Sequence, residues 1–155
     1  MEVKYVRGDA TCPQHTDDKP VVLMHICNNK GGWGAGFVVA LSKKWKLPEQ
    51  KYRQWSAETN HNPPLGQTQF VGVGGDIHVA NMVAQDGFGG VAVKYDKLRE
   101  CIKQVCEYAK SINASVHAPR IGTGLGGGSW DKIEPIIQQE LCDQGVEVTI
   151  YDFDR

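Results

Sequence analysis

Ser115-Val116-His117-Ala118-Pro119-Arg120-Ile121-Gly122-Thr123-Gly124-Leu125-Gly126-Gly127-Gly128-Ser129-Trp130 is the stretch that decides the fold. Ser115–Ala118 reads as a strand and Pro119–Gly128 as a long glycine-rich loop. Ser129 reads as the cap of a helix running to Cys142, with Trp130, Ile133, Ile137 and Leu141 inward and Pro135 bending it. Unpaired N–H groups at a helix N-terminus attract anions, and glycines let the backbone come close to them. The same design occurs earlier in the chain. Val21–Ile26 is a nearly continuous apolar strand, followed by Asn28-Asn29-Lys30-Gly31-Gly32-Trp33-Gly34-Ala35-Gly36 and a helix read over Gly34–Lys46. Two such loops at the C-terminal ends of strands predict a shared crevice for a diphosphate.

Gly122, Gly124 and Gly127 match the GxGxxG spacing, but only 28 residues follow Gly127. One helix and one strand fit there, which is too little for the βαβ unit of a dinucleotide-binding domain. No Gly-Lys-Ser/Thr occurs, so a P-loop is excluded.

Outward from these loops, Val3–Val6, Gln69–Val73, Ile77–Gln85 and Val146–Tyr151 read as further strands, with a hairpin at Gly74-Gly75-Asp76. Leu47-Pro48 is expected to end the first helix, and Glu49–Ala57 to form a short second one. Tyr95–Ile112 is the clearest helix, with Tyr95, Leu98, Ile102, Val105, Ala109 and Ile112 on one face. Strands and helices alternate around one hairpin, which predicts a layered α/β domain with a mixed sheet, one domain over residues 1–155.

The composition narrows the function classes. Net charge is −1, from 17 basic and 18 acidic residues, so a wholesale electrostatic grip on nucleic acid is not expected. Lys43–Arg53 carries five basic residues and one acid, but the aromatics Trp45 and Tyr52 within it and Trp55 just beyond fit inward helix faces. No apolar stretch approaches a membrane span and the N-terminus shows no secretory pattern, so a cytoplasmic setting is expected, or a nuclear one in a eukaryote. The five cysteines form no CxxC pair, and His25 with Cys27 supplies only two candidate ligands. Reduced thiols and no metal site are expected.

Four stretches then resemble macrodomains in that family's order. They are Tyr5-Val6-Arg7-Gly8-Asp9-Ala10-Thr11, the His25–Gly36 loop, Asn81-Met82-Val83-Ala84-Gln85, and Pro119-Arg120-Ile121-Gly122-Thr123-Gly124-Leu125. The resemblance runs from about Val3 to Phe153. It is nearest the branch that holds the macrodomain of a poly(ADP-ribose)-activated chromatin remodeller and stand-alone bacterial and phage proteins. It implies a three-layer α/β/α fold that binds ADP-ribose; together with the composition above, no cofactor, metal, membrane or nucleic-acid partner is expected. Carried over residue by residue, Asp9 would accept from the adenine amino group. Asn28 would meet the distal ribose, and the 31–36 backbone, with Gly32, Trp33 and Gly34, the ribose and diphosphate. Gly122, Thr123, Gly124, Leu125, Gly126 and Gly127 would wrap the diphosphate, and Phe153 would stack on adenine. A catalytic Lys/Asp pair found in one branch is missing here, because its positions fall near Gln85 or Asp86 and at Gly126. A phosphatase branch has a histidine matching His25. His25 and Asp86 are therefore the candidate catalytic residues for hydrolysis of ADP-ribose 1″-phosphate or an O-linked ADP-ribosyl group. The alternative is a non-catalytic reader of ADP-ribosylated protein or polymer.

Overall fold

A computed structural model describes residues 1–14, 17–87, 92–124 and 126–153. Its strands are β1 (Lys4–Arg7), β2 (Val21–Asn28), β3 (Thr68–Gly74), β4 (Ile77–Gln85), β5 (Ser115–Pro119) and β6 (Val148–Asp152). They form one sheet in the order β1-β6-β5-β2-β4-β3. All neighbours run parallel except β3, which pairs antiparallel with β4 across the Gly75-Asp76 turn. Both of those turn residues have positive φ (58° and 59°), as a primed hairpin turn requires.

Helices α1 (Phe37–Lys44) and α2 (Leu47–Glu58) cover one face, and α3 (Tyr95–Ile112) and α4 (Trp130–Glu140) the other. Side-chain alternation along the strands feeds both layers. Val22 and Met24 of β2 pack with Leu98, Ile102 and Ile133, while Leu23 and Cys27 pack with Leu41 and Tyr52. A sheet covered on both faces explains why β2 is apolar at nearly every position.

The element boundaries correct several expectations. Pro48 does not end α1 but sits in the first turn of α2, where its missing N–H costs nothing and its φ suits a helix. Ser129 occupies the N-cap of α4 without a side-chain cap bond; its backbone N–H donates instead to the Tyr95 hydroxyl at 3.0 Å. Helix α1 begins at Phe37, not at Gly34, because Gly36 is held at φ 81°. That three-residue delay moves the free N-terminus of α1 to the sheet's C-terminal edge.

Candidate functional site

Every parallel strand ends at the same edge of the sheet, and there the chain crosses over. Beyond β2 it goes to one side through α1, α2 and β3, while α3 carries it from β4 past β2 to β5. The gap between the ends of β2 and β5 is therefore the switch point of the sheet, where open α/β folds leave a crevice. A crevice of about 1020 Å³ lies there. Its walls come from the segment after β1 (Gly8–Cys12), the start of α1 (Ala35–Ala40) and the loop after β5 (Pro119–Gly124 and Gly126), with Tyr151 and Phe153 of the C-terminal segment.

The loop after β5 is closed on itself. The Gly128 N–H donates to the Gly122 carbonyl at 2.7 Å, and Gly127 to Gly124 at 3.1 Å. The Gly126 carbonyl accepts from Ala92 and Val93, and Thr123 Oγ1 donates to the Arg120 carbonyl. The N–H groups of Gly122, Thr123, Gly124 and Gly126 donate to no backbone carbonyl of the described residues. Glycine is required at 126, where a Cβ would lie 2.7 Å from Val93 Cγ2 and 3.1 Å from Gln85 Oε1. Across the crevice, the first turn of α1 has no side-chain cap. Two sets of free amides thus line one cleft, and such groups favour an anion. Lys43, Lys44 and Arg120 line it against one acid, Asp9.

Asp9 is held by its own turn. Its Oδ1 accepts from Thr11 N–H at 2.9 Å and Thr11 Oγ1 at 2.7 Å, which leaves Oδ2 free among the described residues. The segment is pinned from below by Tyr151, whose hydroxyl accepts from Gln14 N–H at 2.7 Å. That hydroxyl also meets His117 Nδ1 at 2.8 Å, and His117 Nε2 meets Ser115 Oγ at 2.8 Å. Arg120 grips Asp152 with two bonds (2.5 and 3.1 Å) and lies over the rings of Tyr5 and Trp130 at 5.0 and 5.3 Å. Phe153, 63% exposed, stands at the rim beyond them.

His25 forms part of the crevice floor. Its ring is buried, edge-on to Trp33 at 5.3 Å and tilted against Phe37 at 5.9 Å. Loss of hydration pushes its pKa down to about 4, against the opposing effect of the bond to Asn81. The imidazole is therefore neutral across the physiological range.

Of the candidate site residues, Asp9, His25, Gly122, Thr123, Gly124, Gly126 and Phe153 line this crevice. Gly127 does not line it, and Leu125 lies outside the described residues. The first loop needs correction. Trp33 is in the core, where its Nε1 donates to Ser42 Oγ at 2.7 Å and its ring packs on His25 and Tyr52; an aromatic of that size gains more from burial than from a solvated loop. The register slip of β2 against β4 at Cys27/Asn28 turns Asn28 towards α2. There Asn28 Oδ1 accepts from Lys30 N–H and Gly32 N–H, and its Nδ2 donates to the Gly32 carbonyl. Asn28 and Gly32 thus satisfy each other, and neither they nor exposed Gly34 line the crevice. Asp86 is also off the wall, its Oδ1 accepting from Asn29 Nδ2 at 3.0 Å. Ala35, Gly36 and Arg120 of the two predicted loops line the crevice, and so do Gln85, Phe37, Val38 and Tyr151, to which the sequence assigned no role. Among the described residues no cluster of three metal ligands exists.

The chain matches no protein-family model. It is similar to a solved macrodomain protein from Streptomyces coelicolor, with 42% identity, 97% of this chain and 99% of that one covered, and a TM-score of 0.87. It is 30% identical over 164 residues to a chromodomain-helicase-DNA-binding protein 1-like from Danio rerio, covering 99% of this chain. The chain spans only 16% of that relative's length. It is 26% identical over 150 residues to an ADP-ribose 1″-phosphate phosphatase from Lodderomyces elongisporus, covering 90% of this chain and 92% of that protein. With the six-stranded mixed sheet between two helical layers, the Streptomyces likeness at nearly full coverage settles the family: this chain belongs to the macrodomains.

Proposed function

We propose that the crevice binds ADP-ribose, free or as the end of a conjugate. The carrying observation is the pairing of two uncapped amide sets, at 122–124 with 126 and at the start of α1, in one cleft with the free Oδ2 of Asp9 on its wall. The amide sets suit a diphosphate, and a carboxylate oxygen suits the adenine amino group. Phe153 at the rim supplies a ring for the base. Calorimetry tests this reading. ADP-ribose is expected to bind with a Kd of order 1–100 μM, about −5.5 to −8 kcal/mol, and AMP much more weakly. Equal affinities for the two would contradict it.

A second reading, hydrolysis of ADP-ribose 1″-phosphate, is favoured by the likeness to a phosphatase of that name over nearly its whole length. His25 is the residue of the crevice floor suited to accept a proton, since Asp86 is tied to Asn29 away from the wall. Phosphate release from ADP-ribose 1″-phosphate is then expected, with His25→Ala losing about 10²–10⁴-fold in kcat while ADP-ribose affinity changes little. No turnover above background at high protein concentration would leave recognition alone.

A further inference from the structure

His25 is one of five histidines, and its protonation pattern can be read from carbonyls some distance away. The carbonyls of Pro48 and Lys51 in α2 are fixed acceptors. Gln69 Nε2 donates to Lys51 O at 3.0 Å, so its Oε1 faces the other way. Asn81 Nδ2 donates to that Oε1 at 3.0 Å and to Pro48 O at 3.2 Å. Both protons of the Asn81 amide are thereby committed to carbonyl oxygens, and a flipped amide would set oxygen against oxygen at both contacts. Asn81 Oδ1 is left to face His25 Nε2 at 2.5 Å. An oxygen there requires Nε2 to carry the ring's proton. The opposite nitrogen, Nδ1, then holds a bare lone pair. It is buried and receives no hydrogen bond from the described residues, in a residue that lines the crevice floor. A buried acceptor without a donor is costly unless a bound molecule supplies one.

We propose that Asn81 is a positioning residue that locks His25 in the Nε2–H tautomer, so that Nδ1 accepts a hydroxyl or water proton from the ligand at the crevice floor. This rests on the reading that the crevice holds ADP-ribose. In hydrolysis of ADP-ribose 1″-phosphate the same nitrogen would take a proton from water as the water oxygen bonds phosphorus and the bond from phosphorus to the ribose oxygen breaks. The imidazolium, its Nε2–H held by Asn81, then returns that proton to the leaving ribose oxygen.

Two-bond proton–nitrogen correlation spectra of protein labelled with ¹⁵N-histidine test it, with His25 assigned by its loss in His25→Gln. The free wild type at pH 7 is expected to show the Nε2–H pattern alone. Added ADP-ribose is expected to move the Nδ1 resonance together with the amides of Gly122 and Gly124. Asn81→Ala, which removes the acceptor, should give exchange between tautomers; if that variant fails to fold, the wild-type spectra still decide. An Nδ1–H or mixed pattern in the free protein overturns the inference. So does a titration that moves the Gly122 and Gly124 amides and leaves Nδ1 where it was. If neither those amides nor Nδ1 respond, the ADP-ribose reading itself falls, and the ligand-accepting role of Nδ1 with it.

Discussion

Asp9 divides its carboxylate between its own turn and the open crevice. Its Oδ1 caps Thr11 while Oδ2 stays open on the crevice wall. Asp9→Asn keeps an acceptor for Thr11 but replaces the open oxygen with a donor. It should weaken ADP-ribose binding by roughly 1–3 kcal/mol with the melting temperature nearly unchanged. Asp9→Ala should lose that affinity and also about 1 kcal/mol of stability, seen in urea unfolding. If Asp9→Asn binds normally, the open oxygen is not a ligand contact. His25 makes a separate statement about pH. Its pKa is about 6.5 unfolded and about 4 folded. The unfolded chain therefore takes up the proton first, so stability is present above pH 6.5 and drains away between about 6.5 and 4. The loss over that window is roughly 3 kcal/mol, measurable by urea unfolding at pH 7, 5.5 and 4.5. Any rate limb due to His25 should likewise fall near pH 4, not between 6 and 7. A limb near 6.5 would mean that His25 is solvated in the working state.

At the scale of elements, the loop after β5 separates two kinds of glycine. A Cβ at Gly126 would collide with Val93 and crowd the Gly122 carbonyl, whereas one at Gly124 would meet nothing within 4 Å. Gly126→Ala should therefore cost about 1–3 kcal/mol of stability through overpacking. Gly124→Glu should fold normally yet lose at least about tenfold in ADP-ribose affinity, because its charge stands against the diphosphate. Thermal unfolding and calorimetry on the pair distinguish the two effects. The segment after β1 depends on β6 in a similar way. Tyr151→Phe removes the hydroxyl that accepts from Gln14 N–H and meets His117. It should weaken ADP-ribose and AMP alike by about 1 kcal/mol, since the contact it supports lies at the base end. Loss confined to ADP-ribose would place the segment elsewhere.

For the whole molecule, the site exists because the sheet changes direction. Strands β2 and β5 are neighbours in space but their C-terminal ends, Asn28 and Pro119, are 91 residues apart, and only their parallel pairing brings the two loops together. A ligand that bridges both loops binds the folded chain and not the unfolded one. ADP-ribose at 100 times its Kd should thus stabilise the protein by about 2.7 kcal/mol, read as a rise in melting temperature. AMP at the same concentration should give far less.

Much of this was legible in the residues. Periodicity placed every strand and helix, because a 2.0 or 3.6 repeat of apolar side chains needs only local geometry. The Tyr95–Ile112 helix and the Ile77–Gln85 strand agree with the structure to the residue. The loop at 119–128 was legible as a crevice loop through its glycines, and Asp9 as a crevice residue through the motif around it. The 28–36 loop did not give up its geometry. Whether Asn28 and Trp33 face a ligand or the core turns on a one-residue register slip in β2 and on the Ser42 and Tyr52 side chains of the next helices. Those contacts span up to 24 residues of chain, so no local pattern carries them. His25 is the sharpest case. Its place in the strand could be read from sequence. Its neutrality and its proton depend on burial under Trp33 and on carbonyls from α2, which only the folded layers bring within reach.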